Sequence, residues 1–143
     1  MMQTSSEALH AAAEEKGIAC PKLIAVTVLT SIHAGEWAEM GHVEKIDAQV
    51  IRFAKLAKKA GLDGVVASPQ EAGAIREACG KDFLIVTPGI RPAGSSTDDQ
   101  NRIATPAAAL RNGATHLVVG RPIRSAANPK EAAERILREM EEA

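Results

Sequence analysis

Leu84-Ile85-Val86-Thr87-Pro88-Gly89-Ile90-Arg91-Pro92 is the stretch that decides how this sequence is read. Its first four residues form a short apolar run, rich in β-branched residues, with no polar alternation. Such runs suit a strand buried on both faces of a parallel sheet. A proline, a glycine and an arginine then follow at the strand's carboxyl end, where α/β proteins place their chemistry.

Working outward, three more runs of the same kind appear: Leu23–Leu29, Gly64–Ala67 and Leu117–Val119. Helical segments lie between them, with start and stop signals. Thr4 with Glu7 reads as a capping box and Gly17 as its stop. Ser68-Pro69-Gln70-Glu71 reads as a stronger box, with Glu71 reaching back to the Ser68 cap and Gly80 closing the helix. The segment Asp47–Ala60 buries Val50, Ala54 and Ala57 and stops at Gly61. Thr105-Pro106 opens a helix that Gly113 closes. Asn128-Pro129 opens the last, with Ala132, Ala133, Ile136, Leu137 and Met140 on one side. Strands alternating with helices mean βαβ units. Four strands allow either a small doubly wound sheet or half of an eight-stranded barrel, and periodicity does not choose.

Composition sets the bounds. The 143 residues are 45% hydrophobic and 24% charged, a globular composition, and form one domain with no linker. A net charge of -1 and 2% aromatic content give neither a basic field nor stacking platforms, so nucleic acid is not an expected partner. No apolar run reaches the roughly 20 residues of a membrane span, and the N-terminus has no apolar signal region. Cys20 and Cys79 do not make a disulfide framework, so reduced thiols and a cytoplasmic location are expected. His10, His33, His42 and His116 have no metal-ligand spacing. They are expected to be surface or packing residues rather than metal ligands, and Trp37 reads as a packing residue.

The strand ends carry the functional signal. Arg91 follows the third strand, and Gly120-Arg121-Pro122 follows the fourth. Barrel enzymes often hold a substrate phosphate with the loops after their last two strands. Gly120 permits close approach of an oxygen to the backbone, and each guanidinium offers a planar fork to phosphate. Either motif alone could be loop punctuation beside a solvated arginine. Two on consecutive strands, separated by the polar loop Ile90–Arg102, favour a phosphate grip. Asp98 and Asp99 in that loop read as solvated turn residues. Thr30 and Ser31, after the first strand, could touch a ligand or simply end the strand.

Together, Leu23–Ser31, Ala60–Ala72, Leu84–Leu110 and His116–Ile123 resemble the bacterial orotidine 5′-monophosphate decarboxylase family. The likeness covers essentially the whole chain, and the four motifs fall in the family's order and spacing. It implies an α/β fold: the C-terminal half of a (β/α)8 TIM barrel, with about four parallel strands and flanking helices, from the parent's helix 4 through helix 8. It implies that Arg91, Gln100, Gly120 and Arg121 bind the substrate phosphate, with Gln100 also near the pyrimidine. Thr30, Ser31 and Pro88 would line the substrate pocket, and Arg91–Arg102 would be the segment that closes over bound nucleotide. The expected ligands are orotidine and uridine 5′-monophosphate.

The family's Asp-x-Lys-x-x-Asp array does not appear. None of the five aspartates, Asp47, Asp63, Asp82, Asp98 and Asp99, has a lysine two residues on. The resemblance therefore implies that the barrel's first four strands lie outside these residues and that no catalytic residue carries over. The expected protein partner is the missing N-terminal half or a second copy of this chain. The alternatives are a self-associating half-barrel scaffold with weak phosphate binding, or half of a related sugar-phosphate lyase or synthase.

Overall fold

The computed structural model describes residues 1–92 and 102–143. Four parallel strands, β1 (Ile24–Val26), β2 (Gly64–Val66), β3 (Leu84–Thr87) and β4 (His116–Leu117), form one sheet in the order β1-β2-β3-β4. The helices are α1 (Met2–Lys16), α2 (Ala34–Glu39), α3 (Ile46–Lys59), α4 (Ala72–Cys79), α5 (Pro106–Arg111), α6 (Arg121–Arg124) and α7 (Pro129–Glu141).

The strand order settles the choice that periodicity left open. A doubly wound sheet reverses its order at a switch point. Here every strand lies beside its sequence neighbour, so crossovers of one hand stack the helices on one face, as in a barrel wall. The registers Ala25↔Val65↔Ile85 define that face. Val65 and Ile85 are fully buried there, in one core with Val50, Ala54 and Ala57 of α3 and Ile75 of α4. The other face carries Val26, Val66, Val86 and His116 in register. It is far less covered: Val26 is 60% exposed and Val118, just beyond β4, 51%. At Gly64 the strands come close enough that a Cβ would lie 2.3 Å from the Leu84 carbonyl oxygen.

Several local expectations hold. Thr105 caps α5 by accepting from the Ala108 N–H at 3.3 Å, and Asn128 caps α7 by accepting from Glu131 N–H at 3.3 Å. Gly17 ends α1 in the left-handed conformation, φ 62°. Val50, Ala54 and Ala57 are the buried stripe of α3.

Others are corrected. The edge strands are shorter than their apolar runs, because each has a ladder partner on one side only. After Val26, the Thr27 N–H and hydroxyl both bond the Val66 carbonyl, at 3.1 and 2.9 Å, and the chain then leaves the sheet. β4 ends at Leu117 rather than Val119, with the Val118 N–H still donating to the Thr87 carbonyl at 2.9 Å. α1 begins at Met2, before the Thr4 box, with no side-chain cap. α4 begins at Ala72: Ser68 Oγ accepts from the Gln70 N–H within a preceding turn, and Glu71 is drawn elsewhere. Leu137 is exposed while Ala132 and Ile136 are buried, so the apolar stripe of α7 is narrower than expected. The structure adds two short helices, α2 and α6, beyond the expected elements. α2 has an unusual capping box, in which His33 Nδ1 accepts from the Gly35 and Glu36 N–H groups and the Glu36 carboxylate accepts from the His33 N–H.

No helix among the described residues is long and apolar enough to cross a membrane.

Candidate functional site

Because the strands are parallel and sequentially ordered, their carboxyl ends form one rim. Thr30 and Ser31 lie on it beyond β1, Ser68–Glu71 beyond β2, Pro88–Arg91 beyond β3 and Gly120–Arg121 beyond β4. The expected residues on described strand ends thus share one end of the sheet. Gln100 lies outside the described residues, as do Asp98 and Asp99 and most of the Arg91–Arg102 segment.

The turn after β3 is folded back on itself. Gly89 takes φ 77°, a left-handed conformation that suits glycine. That bend lets Ile90 form a parallel bridge with Ala104, where the Arg91 N–H donates to the Ala104 carbonyl at 2.9 Å. The two ends of the polar segment are therefore stitched together at its base. Arg91 is 7% exposed, and its Nη1 donates to the Ile90 carbonyl at 2.9 Å. Pro88 is half-buried.

Beyond β4, Gly120 is exposed, and a Cβ there would meet nothing within 4 Å. Packing within this chain does not require glycine at 120. The space beside its backbone is open, which suits the close approach of a ligand oxygen. Its carbonyl accepts from the Ile123 and Arg124 N–H groups, both at 3.0 Å, and so starts α6 with Arg121 as first residue. Arg121 is half-buried, with its guanidinium held on a helical rather than a loop backbone.

Sequence reading missed a buried ion pair on this rim. Arg102, 9% exposed, forms an ion pair with Glu71, 4% exposed. Its Nη2 also donates to the Leu29 carbonyl at 2.9 Å. Burial pushes the Glu71 carboxyl above the ordinary carboxylate range, and the neighbouring guanidinium only partly opposes this. Glu71 read as a capping residue because its partner lies 31 positions along the chain, beyond any local pattern.

Beside the rim lies a mostly apolar pocket of about 440 Å³, lined by Ile32, Trp37, Val43, Ile46 and Arg102 among others. Trp37 is a packing residue, as read: its Nε1 donates to the Glu44 carbonyl at 2.8 Å, and its ring stacks on His42 at 3.7 Å. No group of His, Cys, Asp or Glu among the described residues has the geometry to hold a metal ion.

Comparison with known proteins gives a consistent picture. Residues 2–136 match the family model described as "Orotidine 5'-phosphate decarboxylase / HUMPS family". The orotidine 5'-phosphate decarboxylase of Geotalea daltonii is 56% identical over 127 residues, which cover 89% of this chain and 52% of that protein. That of Moorella thermoacetica is 52% identical over 142 residues, covering 99% of this chain and 56% of that protein. Among solved structures, the orotidine 5'-phosphate decarboxylase of Lactobacillus acidophilus superposes with a TM-score of 0.79 at 41% identity, over 98% of this chain and 58% of that one. The enzyme from Pyrococcus horikoshii OT3 gives 0.61 at 28% identity, over 92% and 55%. The chain spans about half the length of the relatives it matches.

Proposed function

The chain belongs to the orotidine 5'-phosphate decarboxylase / HUMPS family, and from that premise we propose that it is the phosphate- and pyrimidine-binding half of an orotidine 5′-monophosphate decarboxylase. Residues 1–143 are then a single half-barrel domain. Arg91, Gln100, Gly120 and Arg121 bind the phosphate; Thr30, Ser31 and Pro88 face the nucleoside. The observation that carries this reading is the sequential parallel sheet, which puts the ends of β1, β3 and β4 on one rim.

The physical role of such a half is remote binding. Contacts to a phosphate far from the reacting carbon accelerate a reaction only where they help hold the nucleotide in the geometry of the transition state. Each charge-assisted hydrogen bond from a guanidinium contributes about 1.5–3 kcal/mol. In the reaction, the carbon–carboxylate bond of orotidine 5′-monophosphate breaks, carbon dioxide leaves, and a proton replaces it to give uridine 5′-monophosphate. The Asp-x-Lys-x-x-Asp array that the family resemblance assigns to this step has no match among these residues. The chain alone is therefore expected to bind nucleotide without decarboxylating it, and to need no metal or organic cofactor.

The less covered sheet face supports a partner. Val26 and Val118 are exposed on that face, and among the described residues β1 and β4 each leave an edge unpaired within the sheet. The partner is a polypeptide carrying the remaining strands or, in the scaffold reading, a second copy. A cytoplasmic location accords with the two free cysteines, Cys20 half-buried and Cys79 buried.

The test is a decarboxylation assay on the chain alone and after mixing with a polypeptide that carries Asp-x-Lys-x-x-Asp. Turnover only in the mixture, lost with Arg121→Ala, supports the proposal; turnover by the chain alone overturns it. A monodisperse monomer by light scattering would count against the expected association.

A further inference from the structure

Beyond Thr27 the β1 segment leaves the sheet and makes a tight turn. The Ile32 N–H donates to the Leu29 carbonyl at 3.1 Å, with Thr30 and Ser31 as the two central residues. Leu29 gives this turn little apolar anchorage, since it is 60% exposed. The same Leu29 carbonyl accepts a second hydrogen bond, from Arg102 Nη2 at 2.9 Å. The other arm of that guanidinium is held by Glu71 at the start of α4.

We propose that Arg102 is a positioning residue: held by Glu71, it fixes the Leu29–Ile32 turn and thereby sets where Thr30 and Ser31 stand on the rim. The inference deepens the reading of Thr30 and Ser31 as pocket residues and rests on it. Arg102 lies two residues before Ala104, which bridges Ile90, so the brace links the turn beyond β3 to the turn beyond β1. The guanidinium bonds the carboxylate from one nitrogen and the carbonyl from another, the two held apart in a fixed plane; a lysine's three donors all radiate from one nitrogen, which cannot stand at both positions.

Stability alone explains the pair poorly. Glu71 Oε2 and Arg102 Nε are buried with no hydrogen-bond partner among the described residues. A buried ion pair is often no more stabilising than an apolar pair of the same size. What an apolar pair cannot supply is the bond to the Leu29 carbonyl.

The test compares Arg102→Met, Arg102→Lys and the double variant Arg102→Met with Glu71→Leu. Thermal melting is measured alongside hydrogen exchange at the Ile32 amide, without ligand. Arg102→Met is expected to lower the melting temperature and to speed Ile32 exchange at least about tenfold, with Arg102→Lys failing to rescue it. The double variant, freed of an unpaired buried carboxylate, should recover most of the melting temperature but not the Ile32 protection. That split identifies positioning, because a merely structural role would restore both together. Unchanged Ile32 exchange in Arg102→Met, or its full recovery in the double variant, overturns the proposal. Nucleotide binding does not enter this measurement, so its outcome stands apart from that of the functional reading.

Discussion

The two ends of the strands are built differently. At the amino end, polar groups are spent on holding the fold. Arg76 Nη1 donates to the carbonyls of Gly80, Lys81 and Phe83 at 2.7–2.8 Å, and Nη2 to that of Gly113 at 2.8 Å. One guanidinium thus staples the end of α4, the approach to β3 and the turn before β4. Asp63 accepts from the Leu23 N–H and from Lys22 Nζ, both at 2.8 Å. At the carboxyl end, Glu71 Oε2, Thr87 Oγ1 and Arg102 Nε are buried without a hydrogen-bond partner among the described residues. Buried polar groups are nearly always satisfied, so these atoms set the carboxyl end apart from the amino end among the described residues. The difference matches the barrel rule that one end of the strands serves stability and the other function.

The largest effect should come from breaking the amino end. Gly64 opens β2, and Gly64→Val would drive a side chain into the Leu84 backbone. A loss of about 3 kcal/mol or more is expected in chemical denaturation, as for severe overpacking. Arg76→Ala comes next, at about 2–4 kcal/mol for a charged donor shared among several carbonyls. Nucleotide affinity of the folded fraction should be unchanged, and a parallel loss of affinity would blur the division between the ends. Asn128→Ala, which removes the cap of α7, should cost about 1 kcal/mol.

The smallest effect sharpens the comparison through pH. The Lys22 ammonium, by hydrogen bond and charge, holds the Asp63 carboxyl below its ordinary range. Its contribution is present above the unfolded carboxylate pKa and is lost as pH falls through the lower folded value. The Glu71 carboxyl is raised by burial. Its contribution is therefore fully present below the unfolded value and is lost as pH rises through the folded one. Asp63→Asn should flatten the acid limb of a stability–pH profile, and Glu71→Gln the limb just above the carboxylate range. Flattening on the same limb by both would erase the contrast.

Much of the fold was legible because its determinants are local. The β-branched runs, the caps at Thr105 and Asn128, the Gly17 stop and the Val50–Ala54–Ala57 stripe each depend on residues within a few positions. The winding order was not, since strand neighbours are set by tertiary pairing. Nor was the role of Glu71: Ser68-Pro69-Gln70-Glu71 fits a capping box, but a distant guanidinium outcompetes the local backbone. α2 has no ordinary start signal, because its cap is a histidine, an unusual residue in that place. Of the candidate site, the strand-end positions were readable from the motifs at Arg91 and Gly120-Arg121. The turn that presents Thr30 and Ser31 was not, because Arg102 braces it from far along the chain.

The central claim, that this rim grips the phosphate of a pyrimidine nucleotide, is tested most directly by calorimetry with uridine 5′-monophosphate. The chain should bind it, and Arg121→Ala should weaken binding at least about tenfold, the loss of a charge-assisted hydrogen bond. Equal binding by Arg121→Ala, or no binding by the unaltered chain, would contradict it.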